Sequence, residues 1–139
     1  MRTLIDTCVL SELRRPAGSS RVAASCAALA DDEVFLSVLT IGELRKGIDR
    51  LRAGKKKRGL EQWLRQLVAA ASDRILPINL ETAVLWGELA AKLEKIGRPL
   101  PAIDCLIAAT AIQHGLHLMT RNVADFEPTG VLLVNPWCA

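Results

Sequence analysis

The stretch RTLIDTCVLSEL, residues 2–13, joins a short apolar segment to a second, longer one across a single acid. Residues 2–6 (RTLID) are half apolar and short, which is typical of a β-strand. The segment from Thr7 onward (TCVLSEL) is typical of a helix that ends before Pro16. Asp6 is therefore expected where the strand ends and the helix begins.

The same succession of strand and helix recurs along the rest of the chain. Further strands are predicted at residues 34–38 (VFLSV), 74–78 (RILPI), 117–120 and 131–134. Helices are predicted at about residues 19–30, from a cap at Thr40 to residue 51, at residues 56–71, up to residue 96, and at residues 100–114. This alternation predicts an α/β protein, a three-layer α/β/α sandwich with a mainly parallel central sheet.

Length and composition indicate one globular domain over residues 1–139. Half of the residues are hydrophobic and 24% are charged, which excludes a disordered or fibrous chain. No apolar run approaches the roughly 20 residues that span a bilayer, and the first residues lack the pattern of a signal peptide. We expect a cytoplasmic protein.

The four cysteines are scattered along the chain, at positions 8, 26, 105 and 138. They form no closely spaced pair of the kind that binds zinc or forms a redox dithiol. We interpret them as reduced thiols.

Positive charge is concentrated in one segment, although the net charge is only +3. Residues 45–58, here called the basic stretch, hold eight lysines and arginines and one acid, Asp49. A run of this kind is either a solvated helix face or a guide for a phosphate backbone. Its first residues, Arg45 and Lys46, and the separate Arg121 are our candidates for substrate contacts. The aromatic residues are not interleaved with the basic stretch, so base stacking is not expected from the pattern.

Three acids each stand as the one charged residue in an apolar run: Asp6 in residues 3–11, Glu43 in residues 34–44 and Asp104 in residues 99–120. A carboxylate among core-forming residues loses hydration, so a cation or hydrogen-bond donors must compensate. Each acid alone could be a helix cap or half of a buried ion pair.

The predicted topology places these acids, and a fourth, at one end of the sheet. Asp6 follows the first strand, Glu43 is expected in the first turn of its helix, and Asp125 follows the strand at residues 117–120. Clustered carboxylates raise one another's pKa values, and a hard divalent cation relieves that repulsion. Mg²⁺ or Mn²⁺ fits this donor set better than Zn²⁺, because neither His114 nor His117 lies in an acidic run.

Four segments together resemble the PIN-domain family, and within it the VapC toxins: LIDT (4–7), TIGELRKG (40–47), AIDCLIAA (102–109) and TRNVADF (120–126). The resemblance implies that Asp6, Glu43, Asp104 and Asp125 form the family's metal-binding acidic quartet, with Asp6 and Asp104 as its most direct ligands. It also implies that Thr7, Thr120 and Asn122 orient the acids or a water. A helix cap at Thr7 and a turn at Asn122 are the alternatives.

The function implied by the resemblance is that of a Mg²⁺-dependent endoribonuclease, the toxin of a toxin–antitoxin pair. Its substrate would be structured RNA, such as a tRNA or ribosomal RNA loop. The implied partners are a second copy of the chain and a VapB-like antitoxin that covers the acidic cleft, often with a basic side chain among the carboxylates. Operator DNA would be contacted only through the antitoxin.

Three other functions remain open from the residues. The first is a PIN-like scaffold without activity that binds RNA or protein. The second is a receiver-like signalling module, although Asp6 is followed by Thr7 and not by a second acid. The third is a phosphatase-like enzyme with Asp6 as nucleophile, although the position of its second acid is Cys8. The apolar faces of the helices near Trp63 and Trp86 fit either the core or an interface.

Overall fold

The computed structural model describes residues 1–138, and its centre is one parallel sheet. The strands are β1 (Thr3–Ile5), β2 (Val34–Ser37), β3 (Ile75–Leu76), β4 (His117–Met119) and β5 (Leu133–Val134). They lie in the order β3-β2-β1-β4-β5, and each pair of neighbours is parallel. Because β1 is the central strand, the residue that follows it emerges in the middle of the sheet's carboxyl edge.

Each helix lies between two consecutive strands of the chain. They are α1 (Thr7–Arg14), α2 (Ser20–Ala27), α3 (Val38–Asp49), α4 (Lys55–Ala70), α5 (Leu80–Lys95), α6 (Ala102–His114) and α7 (Val123–Phe126). Short 3₁₀ turns cover Asp31–Glu33 and Glu127–Thr129. The predicted α/β/α sandwich with a parallel sheet is confirmed.

The two faces of the sheet bury separate hydrophobic clusters, as the alternation of side chains along a strand requires. On β1, Leu4 packs in a cluster with residues of α5 and α6, whereas its neighbour Ile5 packs in a cluster with residues of α1, α3 and α4. Leu118 and Met119 of β4 divide in the same way. The helices α5 and α6 therefore form one outer layer, and α1, α3 and α4 contribute to the other.

The apolar faces of α4 and α5 pack mainly against the hydrophobic core. Leu64 of α4 and Leu89 and Leu93 of α5 are buried. Trp63 and Trp86 are partly buried and pack against the two clusters from their edges. Among residues 1–138, no helix is both long and apolar enough to cross a membrane.

The start of α3 differs from the sequence-based prediction. Ser37, the last residue of β2, caps the helix, and its Oγ accepts a hydrogen bond from the backbone N–H of Leu39 at 3.0 Å. The expected cap Thr40 lies inside the helix and is buried. Strand and helix share Ser37 without a loop, so the helix begins earlier than predicted and Glu43 lies in its second turn, not its first.

Candidate active site

Asp6 is fixed at the carboxyl end of β1 by donors from three other residues. Its side chain caps α1, with Oδ1 accepting from the backbone N–H of Thr7 at 2.9 Å. Oδ2 accepts from the Thr120 hydroxyl at 2.8 Å and from the Cys8 thiol at 3.7 Å. The carboxylate is only 5% exposed, and these contacts replace the water that it loses on burial. Asp6 is therefore both the helix cap and a candidate ligand.

Thr7 connects Asp6 to Glu43. The backbone N–H of Thr7 donates to Asp6, and its hydroxyl donates to Glu43 Oε1 across the gap between α1 and α3 at 2.6 Å. The expected alternative, a cap formed by the Thr7 side chain, is not what the structure shows, because Asp6 holds that position. Thr7 thus places two carboxylates at a defined separation.

Asp104 lies in the first turn of α6 and is half-buried. Burial raises the pKa of its carboxyl, and the negative charges of Asp6, Glu43 and Asp125 raise it further. Among residues 1–138, no donor forms a hydrogen bond to this carboxylate that would lower the pKa again. The other three acids predicted from the sequence therefore lie within electrostatic reach of Asp104, whose carboxylate has no donor among residues 1–138 to offset their repulsion.

Asp125 and Asn122 lie at the start of α7, directly after β4. Asp125 is exposed in the first turn of α7, and its backbone N–H donates to the Asn122 carbonyl at 3.1 Å. The backbone N–H of Asn122 in turn donates to the Thr120 hydroxyl at 3.1 Å. Thr120 is fully buried and donates to Asp6, so it connects the segment of Asp125 to Asp6.

This fold and these segments match a known family. A family model described as PIN domain matches residues 3–128. The chain belongs to the PIN-domain family.

Known relatives of this PIN domain include the toxin FitB of Neisseria gonorrhoeae, 38% identical over 96% of this chain and 97% of the relative. The VapC ribonuclease Y4jK of Sinorhizobium fredii is 33% identical over 96% of both chains. The structure of FitAB bound to an IR36 DNA fragment superimposes with a TM-score of 0.93 at 35% identity, over 97% of this chain and 95% of that one. Other matched structures are described as toxin–antitoxin complexes or systems. The resemblance read from the sequence is confirmed.

The four acids of this PIN domain suit a divalent cation that keeps part of its water. All the donors are carboxylate oxygens, and the charge on Asp104 has no protein partner among residues 1–138. Within the same residues, no three Asp, Glu, His or Cys side chains form a ready-made metal cage. Mg²⁺ is usually held by one or two carboxylates together with several waters, so it does not need such a cage.

The basic residues predicted to contact substrate differ in whether their charges already have partners within the protein. Arg45 forms ion pairs with Asp49 at 2.7 Å and with Glu61 at 3.1 Å, so its charge is already partly balanced. Lys46 is exposed on α3. The guanidinium carbon of Arg121 lies over the ring of Trp137, 5.0 Å from its centroid.

One feature beside the acids was missed in the sequence. A groove of about 540 Å³, here called the α1–α3–α4 groove, is lined by Thr7 and Glu43 and also by the tryptophan of α4, Trp63. Lys56, Leu60 and Trp63 all line this groove, and their spacing of four and three residues was the available signal. In the sequence, Trp63 lies outside the basic stretch and is assigned only to an apolar helix face that fits the core or an interface.

Proposed function

We propose that this PIN domain is a divalent-metal-dependent endoribonuclease and acts as the toxin of a toxin–antitoxin pair. The observation that carries the proposal is that Asp6, Glu43 and Asp125 all act electrostatically on Asp104, whose charge has no partner among residues 1–138. The similarity to the toxin FitB and to a VapC ribonuclease supports it.

Asp6 and Asp104 would hold Mg²⁺ or Mn²⁺, and Glu43 and Asp125 would complete its shell directly or through water. When bound, the cation supplies an activated water and offsets the negative charge that develops on the phosphate oxygens. The chain's own part is to hold the carboxylates still. Thr120 and the backbone of Thr7 fix Asp6, while the Thr7 hydroxyl fixes Glu43. A carboxylate oxygen that binds no cation accepts the proton of the attacking water.

The substrate in this proposal is structured RNA, such as a loop of a tRNA or a ribosomal RNA, which places the protein in the cytoplasm. Lys46 and Arg121 are the proposed contacts to phosphates on either side of the acids, with a smaller part for the ion-paired Arg45. Asn122 is proposed to orient a water or the phosphate from the start of α7.

The proposed partners are a second copy of this chain and a VapB-like antitoxin. The charge of Asp104, which has no partner within residues 1–138, would accept a basic side chain from the antitoxin in place of the metal. DNA would be bound only through the antitoxin, and the match to a FitAB assembly on a DNA fragment supports that arrangement.

The test is cleavage of total bacterial RNA by the purified chain, freed of antitoxin, with Mg²⁺ or Mn²⁺ and with EDTA. We expect cleavage at few sites, its loss on chelation, and a loss of roughly 100- to 10 000-fold in Asp104→Asn. Asp32→Asn is the matched control, because Asp32 is an exposed acid before β2, at the opposite edge of the sheet.

Two results would contradict the proposal. Full activity of the folded Asp104→Asn variant would reject the assignment of the acids. Intact RNA with wild-type protein in every metal would favour a PIN-like scaffold that binds RNA or protein without cutting it.

A further inference from the structure

The α1–α3–α4 groove extends the candidate site away from the metal-binding acids. Thr7 and Glu43 line it, so it is continuous with the carboxylate group. Its volume of about 540 Å³ is in the range of small-molecule sites. An RNA strand with one phosphate at the acids can therefore place a neighbouring nucleotide in this groove.

An aromatic ring forms one wall of the groove. Trp63 of α4 is partly buried and packs against the hydrophobic cluster beneath it, so its ring is held by the core. The guanidinium of Arg14 lies over the ring, 5.5 Å from its centroid, so the surface that the pair offers to a ligand is the guanidinium plane supported by the ring. Aromatic rings and guanidinium planes are the two kinds of surface on which unpaired bases stack.

The charge of the groove favours an anion. Its lining contains three basic residues, Arg14, Arg15 and Lys56, and Glu43 is its one acid. Arg15 is paired with Glu12 at 3.1 Å, whereas neither Arg14 nor Lys56 forms an ion pair with another residue of the described chain. Two unpaired positive side chains next to a fixed aromatic ring are suited to bind a nucleotide, because a nucleotide carries both a phosphate and a base.

One residue that lines the groove, Gly47 of α3, has no side chain. Gly47 lies one helical turn after Glu43 on α3 and lines the same groove. A Cβ built on Gly47 meets nothing within 4 Å, so the space above the helix backbone is open. This opening lets a ligand approach α3 closely next to Glu43.

We propose that the α1–α3–α4 groove binds one unpaired nucleotide of the RNA substrate, with its base stacked on the Arg14 guanidinium that lies over Trp63 and its phosphate beside Lys56. The inference rests on the proposed ribonuclease function and adds a specificity site to it.

The test measures RNA binding in EDTA, so that neither metal nor cleavage contributes. The probes are a short fluorescein-labelled single-stranded RNA of mixed sequence and an oligonucleotide with the same backbone and abasic sites. The wild-type chain, freed of antitoxin, should bind the RNA with bases roughly 5- to 100-fold more tightly than the abasic one. Trp63→Leu should remove most of this preference, and Trp63→Phe should keep it because a stacking ring remains.

Two further variants separate stacking from folding. Trp86→Leu is the matched control, since Trp86 is an equally half-buried tryptophan that packs against the other cluster, and it should leave the preference unchanged. Gly47→Gln fills the groove from its open side without removing a core residue and should abolish the preference, whereas Gly47→Ala should keep it.

The contribution of charge is tested with Lys56→Gln. This change should weaken binding of both oligonucleotides equally and reduce the salt dependence of binding by about one phosphate contact. An effect confined to the RNA with bases would contradict the role given to Lys56.

Equal affinity of the wild-type chain for the two oligonucleotides would overturn the inference, as would a preference that survives both Trp63→Leu and Gly47→Gln. So would a Gly47→Gln variant that keeps the preference but no longer binds a VapB-like antitoxin, since the groove would then belong to a protein segment. A base preference in a chain that cleaves no RNA would reject only the ribonuclease proposal. Cleavage without a base preference would reject only the groove.

Discussion

Asp6 and Asp104 lie at the same edge of the sheet, but the chain surrounds the two carboxylates differently. Asp6 is 5% exposed and accepts hydrogen bonds from Thr7, Thr120 and Cys8. Asp104 is half-buried, and the structure gives it three acidic neighbours and no donor among residues 1–138. One acid is part of the folded framework, whereas the charge of the other has no compensation within that framework.

This difference separates two tasks that a metal-binding acid can have. Asp6 begins α1 and joins β1 to the residue that follows β4, so its loss should disturb the fold as well as the site. Asp104 costs the fold stability while its charge is uncompensated, so its removal should harm only function. If substitutions at the two positions changed the stability of the protein equally, this distinction between Asp6 and Asp104 would be wrong.

The largest expected effect on stability is that of Asp6→Ala. The change removes the cap of α1 and leaves the buried Thr120 hydroxyl without its acceptor, which together should lower the free energy of unfolding by about 2–4 kcal/mol. Urea unfolding in EDTA measures it. Asp6→Asn keeps the oxygen that caps α1 and should cost less, and an equal loss in both variants would show that the cap contributes little.

Thr7→Val gives the next largest effect, on activity. The side chain keeps its shape but no longer donates to Glu43 Oε1, so Glu43 loses its fixed position while the backbone contact to Asp6 remains. RNA cleavage should fall about 10- to 100-fold, as it does when an outer partner of a metal ligand is removed. Thr7→Ser should restore most of the activity, because it returns the hydroxyl. Undiminished cleavage by Thr7→Val would show that Glu43 needs no such partner.

The fold could be predicted from sequence because the apolar runs and their interruptions carry most of the information. The sheet and six of its helices follow from alternating short and long apolar segments. The edges of these elements do not all follow, because a residue such as Ser37 ends a strand and also caps the next helix. A pattern cannot show that two elements share one residue.

The candidate acids could also be named from sequence, whereas their surroundings could not. Solitary charges in apolar runs identified Asp6, Glu43 and Asp104. The hydrogen bond between Thr7 and Glu43 crosses 36 residues of chain, and the groove at Trp63 is built by three helices, α1, α3 and α4. Contacts of this kind depend on how the helices pack, and a single sequence gives no signal for that packing.

The smallest expected effect is the stability gained by Asp104→Asn, and it sharpens the contrast with Asp6. The folded chain raises the pKa of Asp104 above its ordinary value of 3.8, so folding favours the protonated acid, and stability falls as the pH rises from 3.8 through the raised pKa. In EDTA at neutral pH, Asp104→Asn should therefore have a higher Tm than wild type. The gain should vanish below pH 3.8, where both side chains are neutral. Saturating Mg²⁺ should then raise the Tm of wild type more than that of Asp104→Asn, because only wild type keeps the carboxylate that the cation stabilises. A variant that is less stable than wild type at neutral pH in EDTA would mean that Asp104, like Asp6, is held by the fold.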